Sequence, residues 1–320
     1  MAKSRQLPVA LAQITAMQRL ETLAEADVMA LQKILAGKQS IVIAPAAELI
    51  IRHHLTELTD ALIATFHRLS VKGATTDPGC QAKWAIANAL YQLEKPDADL
   101  FLFGIRYRQP EPVWGKTIDT AAPLRSLCAL GLVQANYLDV LSELADLLAD
   151  LEYDARAGAA RAIGYSQNPA GIPLLRLKVH LGDSEPIVLS ECFIALLALS
   201  PEQASLVIEA LTGGRDEVQE LAALALGEAR IPSAFDAIKR QWQRTRSPEL
   251  RQSFLLAIAT LRTDDSLAFL LTELERGNPQ DAKDAIIALD IYRHTPAIWQ
   301  QVIAAAQLRS EPNILAMLNP

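Results

Sequence analysis

Between residues 79 and 290 one apolar pattern recurs seven times. Its anchoring alanines are Ala89, Ala129, Ala162, Ala195, Ala225, Ala257 and Ala288, separated by 40, 33, 33, 30, 32 and 31 residues. A chain that repeats itself this way is not building one closed core. Each copy has one apolar face too small to bury alone, and it is stabilised by stacking on the next copy.

The aligned stretches are QAKWAIANAL, LRSLCALG, RAGAARAIG, SECFIALLAL, QELAALALG, RQSFLLAIATL and AKDAIIALD. Small and aliphatic residues recur at i, i+3, i+4 and i+7, the period of an α-helix. Runs such as Ala159, Ala160 and Ala162, or Ala222, Ala223 and Ala225, let neighbouring helices approach closely. A column four residues before Arg156 holds Asp119, Glu152, Glu185, Ser247 and Asn278, and Pro186, Pro248 and Pro279 follow in the next column. A capping residue followed by proline marks a helix start, where the missing N–H costs nothing.

Second helices of the pairs are expected at Tyr137–Ala149, Gly171–His180, Glu202–Leu211, Ser233–Trp242 and Ser266–Arg276. A more divergent pair is expected at Ile41–Ile51 and Glu57–Leu69, and a terminal hairpin at Pro8–Leu20 and Glu25–Leu35. The predicted fold is all-α: a right-handed α-solenoid of about eight helical hairpins. Residues 1–39 cap one end, and 40–320 form a single continuous array with an irregular insertion at 96–119. SIVIAP at 40–45 is the one strand-like run, and it fits the helical register better.

The two closest versions of the motif, ARAGAARAIG and VQELAALALG, resemble short HEAT-like repeats. The chain is similar to bacterial HEAT-repeat proteins, including the subgroup named for phycobilisome lyases, over roughly residues 40–310. The resemblance implies a polar ladder between repeats at the Arg156 position. That position is kept at Arg251, changed to Lys83, and replaced by Pro123, Leu189, Gln219 and Ala282. Some HEAT-like proteins attach bilins or excise damaged bases. Neither activity has a motif that can be placed here, so the resemblance carries the fold alone.

Two segments stand out as surfaces. Residues 96–119 hold Phe101, Phe103, Tyr107 and Trp114 beside Arg106, Arg108 and Lys116. Aromatics and guanidinium groups on a loop suit recognition; the alternative is a loop folded back with Trp114 wedged into an apolar gap. Between Arg230 and Arg262 lie seven cations against Asp236 and Glu249, which suits phosphate tracking or simply two solvated helix faces. Asp139, Glu143, Asp146, Asp150 and Glu152 read as an acidic stretch without basic partners. Second helices lining an inner face would offer Arg176, Lys178, Lys239, Arg240 and Arg244 to a partner.

Enzymatic motifs are missing from the sequence. CxxC, HxxxH, HExxH, Gly-x-Ser-x-Gly and a P-loop do not occur, so no cofactor or metal is expected. Adjacent His53 and His54 point about 100° apart on a helix. Asp97, Asp99, Asp264 and Asp265 read as helix-start residues that complement the dipole. A net charge of −7 disfavours nucleic acid and anionic membranes, and no apolar run is long enough to span a bilayer. Cys80, Cys128 and Cys192 are scattered and read as free thiols in a cytoplasm. The expected role is a non-catalytic scaffold for a protein partner. A tetrapyrrole-handling lyase and a nucleic-acid binder acting through residues 230–262 are the alternatives.

Overall fold

The computed structural model describes residues 3–309 and 311–318. Its helices gather into two compact units, Met1–Ser166 and Gln167–Pro320. The first contains α1 (Lys3–Met17), α2 (Glu25–Ala36), α3 (Ile43–Arg52), α4 (Thr59–Ser70), the single turn α5 (Gly73–Thr76), α6 (Gln81–Gln92) and α7 (Ala98–Arg106). A hairpin of β1 (Pro110–Val113) and β2 (Lys116–Asp119) follows, then α8 (Ala122–Gln134), α9 (Val140–Leu148) and α10 (Tyr153–Tyr165). The second unit contains α11 (Ile172–Leu181), α12 (Pro186–Leu199), α13 (Ala204–Gly213), α14 (Asp216–Glu228), α15 (Phe235–Arg244) and α16 (Pro248–Leu261). It ends with α17 (Asp264–Arg276), α18 (Pro279–Leu289), α19 (Pro296–Gln307) and α20 (Pro312–Ala316).

Within each unit, helices two apart in sequence pack side by side and helices one apart form pairs. In the first unit α3, α6, α8 and α10 make one layer; in the second α12, α14, α16 and α18 do the same. This is the all-α, solenoid-type architecture the repeat predicts. All seven anchoring alanines are buried in these layers. Between them sit Phe66, Phe101, Phe193, Phe254 and the aliphatic stripe, each such side chain adding about 1.5–3 kcal/mol by leaving water. Spacing is tight at Gly158 of α10. A Cβ there would stand 2.7 Å from the Ser126 Cα of α8 and closer still to its hydroxyl.

Several of the start signals work as the sequence implies, while Glu152 and Glu185 hold the cap position without a side-chain cap bond. Ser247 accepts from the Leu250 N–H, Asn278 from those of Gln280 and Asp281, and Asp97 from that of Leu100. Pro186, Pro248 and Pro279 each open their helix. Asp264 and Asp265 lie in the first turn of α17, whose cap is Thr263. SIVIAP forms a 3-10 turn at Ser40–Val42 leading into α3.

Two expectations about residues 96–119 need correction. The segment is not one irregular loop: α7 takes its first half and the β-hairpin its second. Asp119 is not the cap of the following helix. It ends β2, and Ala121 occupies the cap position of α8.

Candidate functional site

The hairpin forms where the chain has few other options. Pro110 and Pro112 exclude helix, and Trp114-Gly115 makes a two-residue turn between Val113 and Lys116. Both turn residues have positive φ, 26° and 79°, the combination that matches the twist of paired strands. Glycine adopts it freely, whereas a bulky residue at positive φ is uncommon. A two-residue turn makes Val113–Lys116 the closing hydrogen-bonded pair, so residues 110, 112, 117 and 119 aim their backbone polar groups outward. Prolines at 110 and 112 therefore leave the β1 edge without outward donors. The hairpin is a discrete arm rather than a template for more strands.

Its base is held by buried charge. The Arg125 guanidinium of α8 is fully buried and forks onto Asp150, Nε to Oδ2 at 3.0 Å and Nη2 to Oδ1 at 3.1 Å. Its Nη1 donates to Asp119 Oδ2 at 2.7 Å and to the Tyr107 carbonyl at 3.0 Å. Arg108, half exposed, adds an Nη1 contact of 2.5 Å to Asp150 Oδ2. Asp119 Oδ1 also accepts the N–H groups of Gln109 and Ala121. Burial alone would push the Asp119 carboxyl up; these donors and the Arg125 charge outweigh it and hold it below its usual range. Asp150 behaves alike, with burial overcome by the Glu152 N–H, Arg108 and Arg125.

A second set of bonds ties the arm to the preceding loop. The Gln109 amide donates to the Asp77 carbonyl at 2.8 Å and to Glu111 Oε1 at 2.6 Å. Glu111 Oε1 also accepts the Gly79 N–H at 2.8 Å and the Thr120 hydroxyl at 3.1 Å. Asp77 in turn receives the buried Lys83 ammonium at 2.9 Å and the N–H groups of Ala82 and Lys83. Three successive connections, 77–80, 107–121 and 150–152, are thus stitched together by carboxylates.

Reading the sequence by its alanines missed this column. Asp77, Asp119 and Asp150 each stand six residues before a cation, Lys83, Arg125 and Arg156. Asp183 continues the series, with Leu189 in the cation's place. Asp119, Asp150 and Asp183 each accept the N–H two residues on, at 3.0, 2.8 and 2.9 Å. The ladder is therefore not lost at Pro123; it moves two residues to Arg125. Arg156 donates to the carbonyls of Asp150 and Leu151, and Arg251 bonds Asp281 at 2.7 Å. The stretch 139–152 does have basic partners, Arg106 on Glu143 and Arg108 and Arg125 on Asp150.

The predicted site residues fall into two groups. Trp114 is fully exposed at the tip of the arm, not wedged into a gap, and residues 112–117 are all exposed with it. Arg106 and Arg108 serve the base as ion-pair partners. In the second unit Arg176 donates to Gln203 at 2.7 Å and Lys178 pairs with Asp183 at 2.8 Å. Lys239 lies 4.7 Å over the Phe269 ring. Arg251 stacks at 4.2 Å on Trp242, and Arg262 lies 5.9 Å over the Tyr292 ring. The basic segment is thus partly consumed by internal contacts, leaving Arg240 and Arg244 among its exposed members.

All three cysteines are buried and unpaired, and burial pushes the Cys80 and Cys192 thiols up to about 12. Among the described residues no group of three or more His, Cys, Asp or Glu is placed to hold a metal, and no helix is long and apolar enough to cross a membrane.

Residues 204–290 match the family model for HEAT repeats. Over that stretch the chain is similar to HEAT repeats. Its fold resembles a chain of a homology model of the full-length AP-3 complex in an intermediate open conformation. The TM-score is 0.52 at 16% identity, over 91% of this chain and 50% of that one, so the chain spans half the length of that relative. Human deoxyhypusine hydroxylase in complex with glycerol aligns at 17% identity over 74% of this chain and 99% of its own, with a TM-score of 0.29, too low to support an argument. No curated protein matches the sequence. At these identities the likeness is one of fold.

Proposed function

We propose that this chain is a non-catalytic scaffold that binds a protein partner, with the clamped hairpin as its principal contact element. HEAT-like repeats provide extended surface without a new core for each contact. The observation that carries the reading is Trp114: a fully exposed indole, at positive φ, on an arm whose root is fixed by buried ion pairs. Bulky residues on strained backbone collect at functional positions, and tryptophan is the residue most enriched in interface hot spots. A rigid root limits the entropy lost when the tip is captured. The buried, unpaired cysteines fit a reducing compartment such as the cytoplasm. A bilin-handling role and nucleic-acid binding draw no comparable support from a built site.

Affinity purification of the tagged full chain from its native cell, with mass spectrometry, tests the reading. A partner that copurifies stoichiometrically and rebinds after purification is expected. Recovery of the chain alone, at physiological salt and in several growth states, refutes it.

A further inference from the structure

On that scaffold reading rests a more specific one, about which partner chemistry the arm fits. The stitched loops turn every one of their aspartates inward: Asp77, Asp119 and Asp150 all receive N–H or cationic donors at the base. Two lysines near them face solvent instead. Lys72 and Lys116 are exposed and make no ion pair among the described residues. Lys72 belongs to the same assembly, because a Cβ on neighbouring Gly73 would run into the Tyr107 hydroxyl and the Gln109 amide at the arm's root. Val71, Trp114 and Leu151 are also exposed, the last beside the Asp150 that both arginines grip. On a chain of net charge −7, the exposed tip, Val113–Lys116, carries one cation and no carboxylate.

Size and shape narrow the occupant. A tryptophan buries about 150–250 Å², whereas a stable interface needs about 800 Å² from each partner. The tip alone is too small for a flat contact, but it suits insertion into a preformed cleft, with exposed Val113 and Lys116 flanking the indole. An arm that projects calls for a concavity. Two unpaired lysines call for carboxylates at its edge, which steer the encounter and fix the register. We infer that the arm docks into an apolar cleft with an acidic rim on another protein, Trp114 filling the floor while Lys72 and Lys116 meet the carboxylates. An anionic bilayer is the weaker match. Two lysines contribute about 1 kcal/mol each at such a surface, and the acidic remainder of the chain is repelled by it.

The test uses the full chain carrying a photoreactive benzoylphenylalanine at position 114, irradiated in native extract. The captured protein is then purified and titrated against the unmodified chain and two variants. Trp114→Ala is expected to weaken binding at least 30-fold, and Lys72→Glu with Lys116→Glu about tenfold. Wild-type affinity should fall with added salt, and the lysine variant should lose most of that dependence. Equal binding by all three chains, or a salt dependence unchanged by charge reversal, overturns the inference. Binding instead to phosphatidylcholine vesicles containing 30% phosphatidylserine, abolished by Trp114→Ala, would also overturn it and assign the arm to membranes. A partner that binds with Trp114 and both lysines dispensable refutes only the arm. A chain that captures nothing and copurifies with nothing refutes the scaffold as well.

Discussion

Replacing Arg125 by methionine removes the only fully buried guanidinium among the described residues. Methionine conserves most of the stem volume, so the loss is chiefly polar. Arg125 makes four hydrogen bonds, two to Asp150 and one each to Asp119 and the Tyr107 carbonyl. Deleting one member of a buried ionic set costs about 3–5 kcal/mol. The lower end applies, because neither carboxylate is stripped bare. Asp150 retains Arg108 and the Glu152 N–H, and Asp119 retains two backbone donors. A loss of about 3 kcal/mol corresponds to an open state populated about 100-fold more. A repeat array does not unfold in one step, so a single melting curve is a poor measure. Hydrogen exchange followed by mass spectrometry resolves the region. Peptides covering 105–130 should lose about 100-fold in protection, while α16 in the other unit stays within threefold. The effect should also shrink in acid. Both aspartates have folded pKa values held below the unfolded value of about 3.9, so they stabilise the wild type above that pH and stop doing so as pH falls through the folded values. Wild type and variant should therefore begin to converge only as pH falls below about 4. Protection in α8 unchanged by the substitution at pH 7 would show that the clamp adds nothing, refuting the account of a rigid arm.

Three further outcomes are expected. Trp114→Ala should leave global stability within about 0.5 kcal/mol, since the indole touches solvent, yet remove the emission component most readily quenched by acrylamide. Finding that component intact would place the indole elsewhere. Gly158→Ala should destabilise by about 1–3 kcal/mol despite alanine's better helix propensity, because the Ser126 Cα stands in the way; a gain in thermal midpoint would contradict the close approach of α8 and α10. Ellman's reagent should label none of the three cysteines at pH 8 without denaturant and all three in guanidinium, as buried thiols with raised pKa predict. Fast labelling of one in the native chain would argue against its burial.

The repeat was legible because it is a packing pattern, and packing patterns are written in apolar spacing. The seven anchoring alanines all proved buried, and proline after Glu185, Ser247 and Asn278 opened helices where expected. What the apolar register could not show was anything outside the helices. The hairpin rests on two prolines and a Trp-Gly turn, too short for alternation to register, and its partners are polar groups far away in sequence. Aligning α8 by Ala129 put Pro123 at the ladder position and hid Arg125 two residues along. The six-residue Asp-to-cation spacing would have revealed it, since Asp119–Arg125 repeats Asp77–Lys83 and Asp150–Arg156. Trp114 illustrates the limit differently: the same residue serves as plug or probe, and only the turn geometry decides.

The aspartate column also marks a seam for inserting new sequence. From Asp77 to Asp119 is 42 residues, against 31 from Asp119 to Asp150 and 33 from Asp150 to Asp183. The surplus of about ten is the hairpin, and it enters just upstream of the aspartate, which still reaches its own cation. Foreign segments spliced immediately ahead of Asp150 or Asp183 should be tolerated by the same logic. Such splices would turn other connections of the stack into addressable branches, each gaining its own specificity while the helices beneath stay as they are.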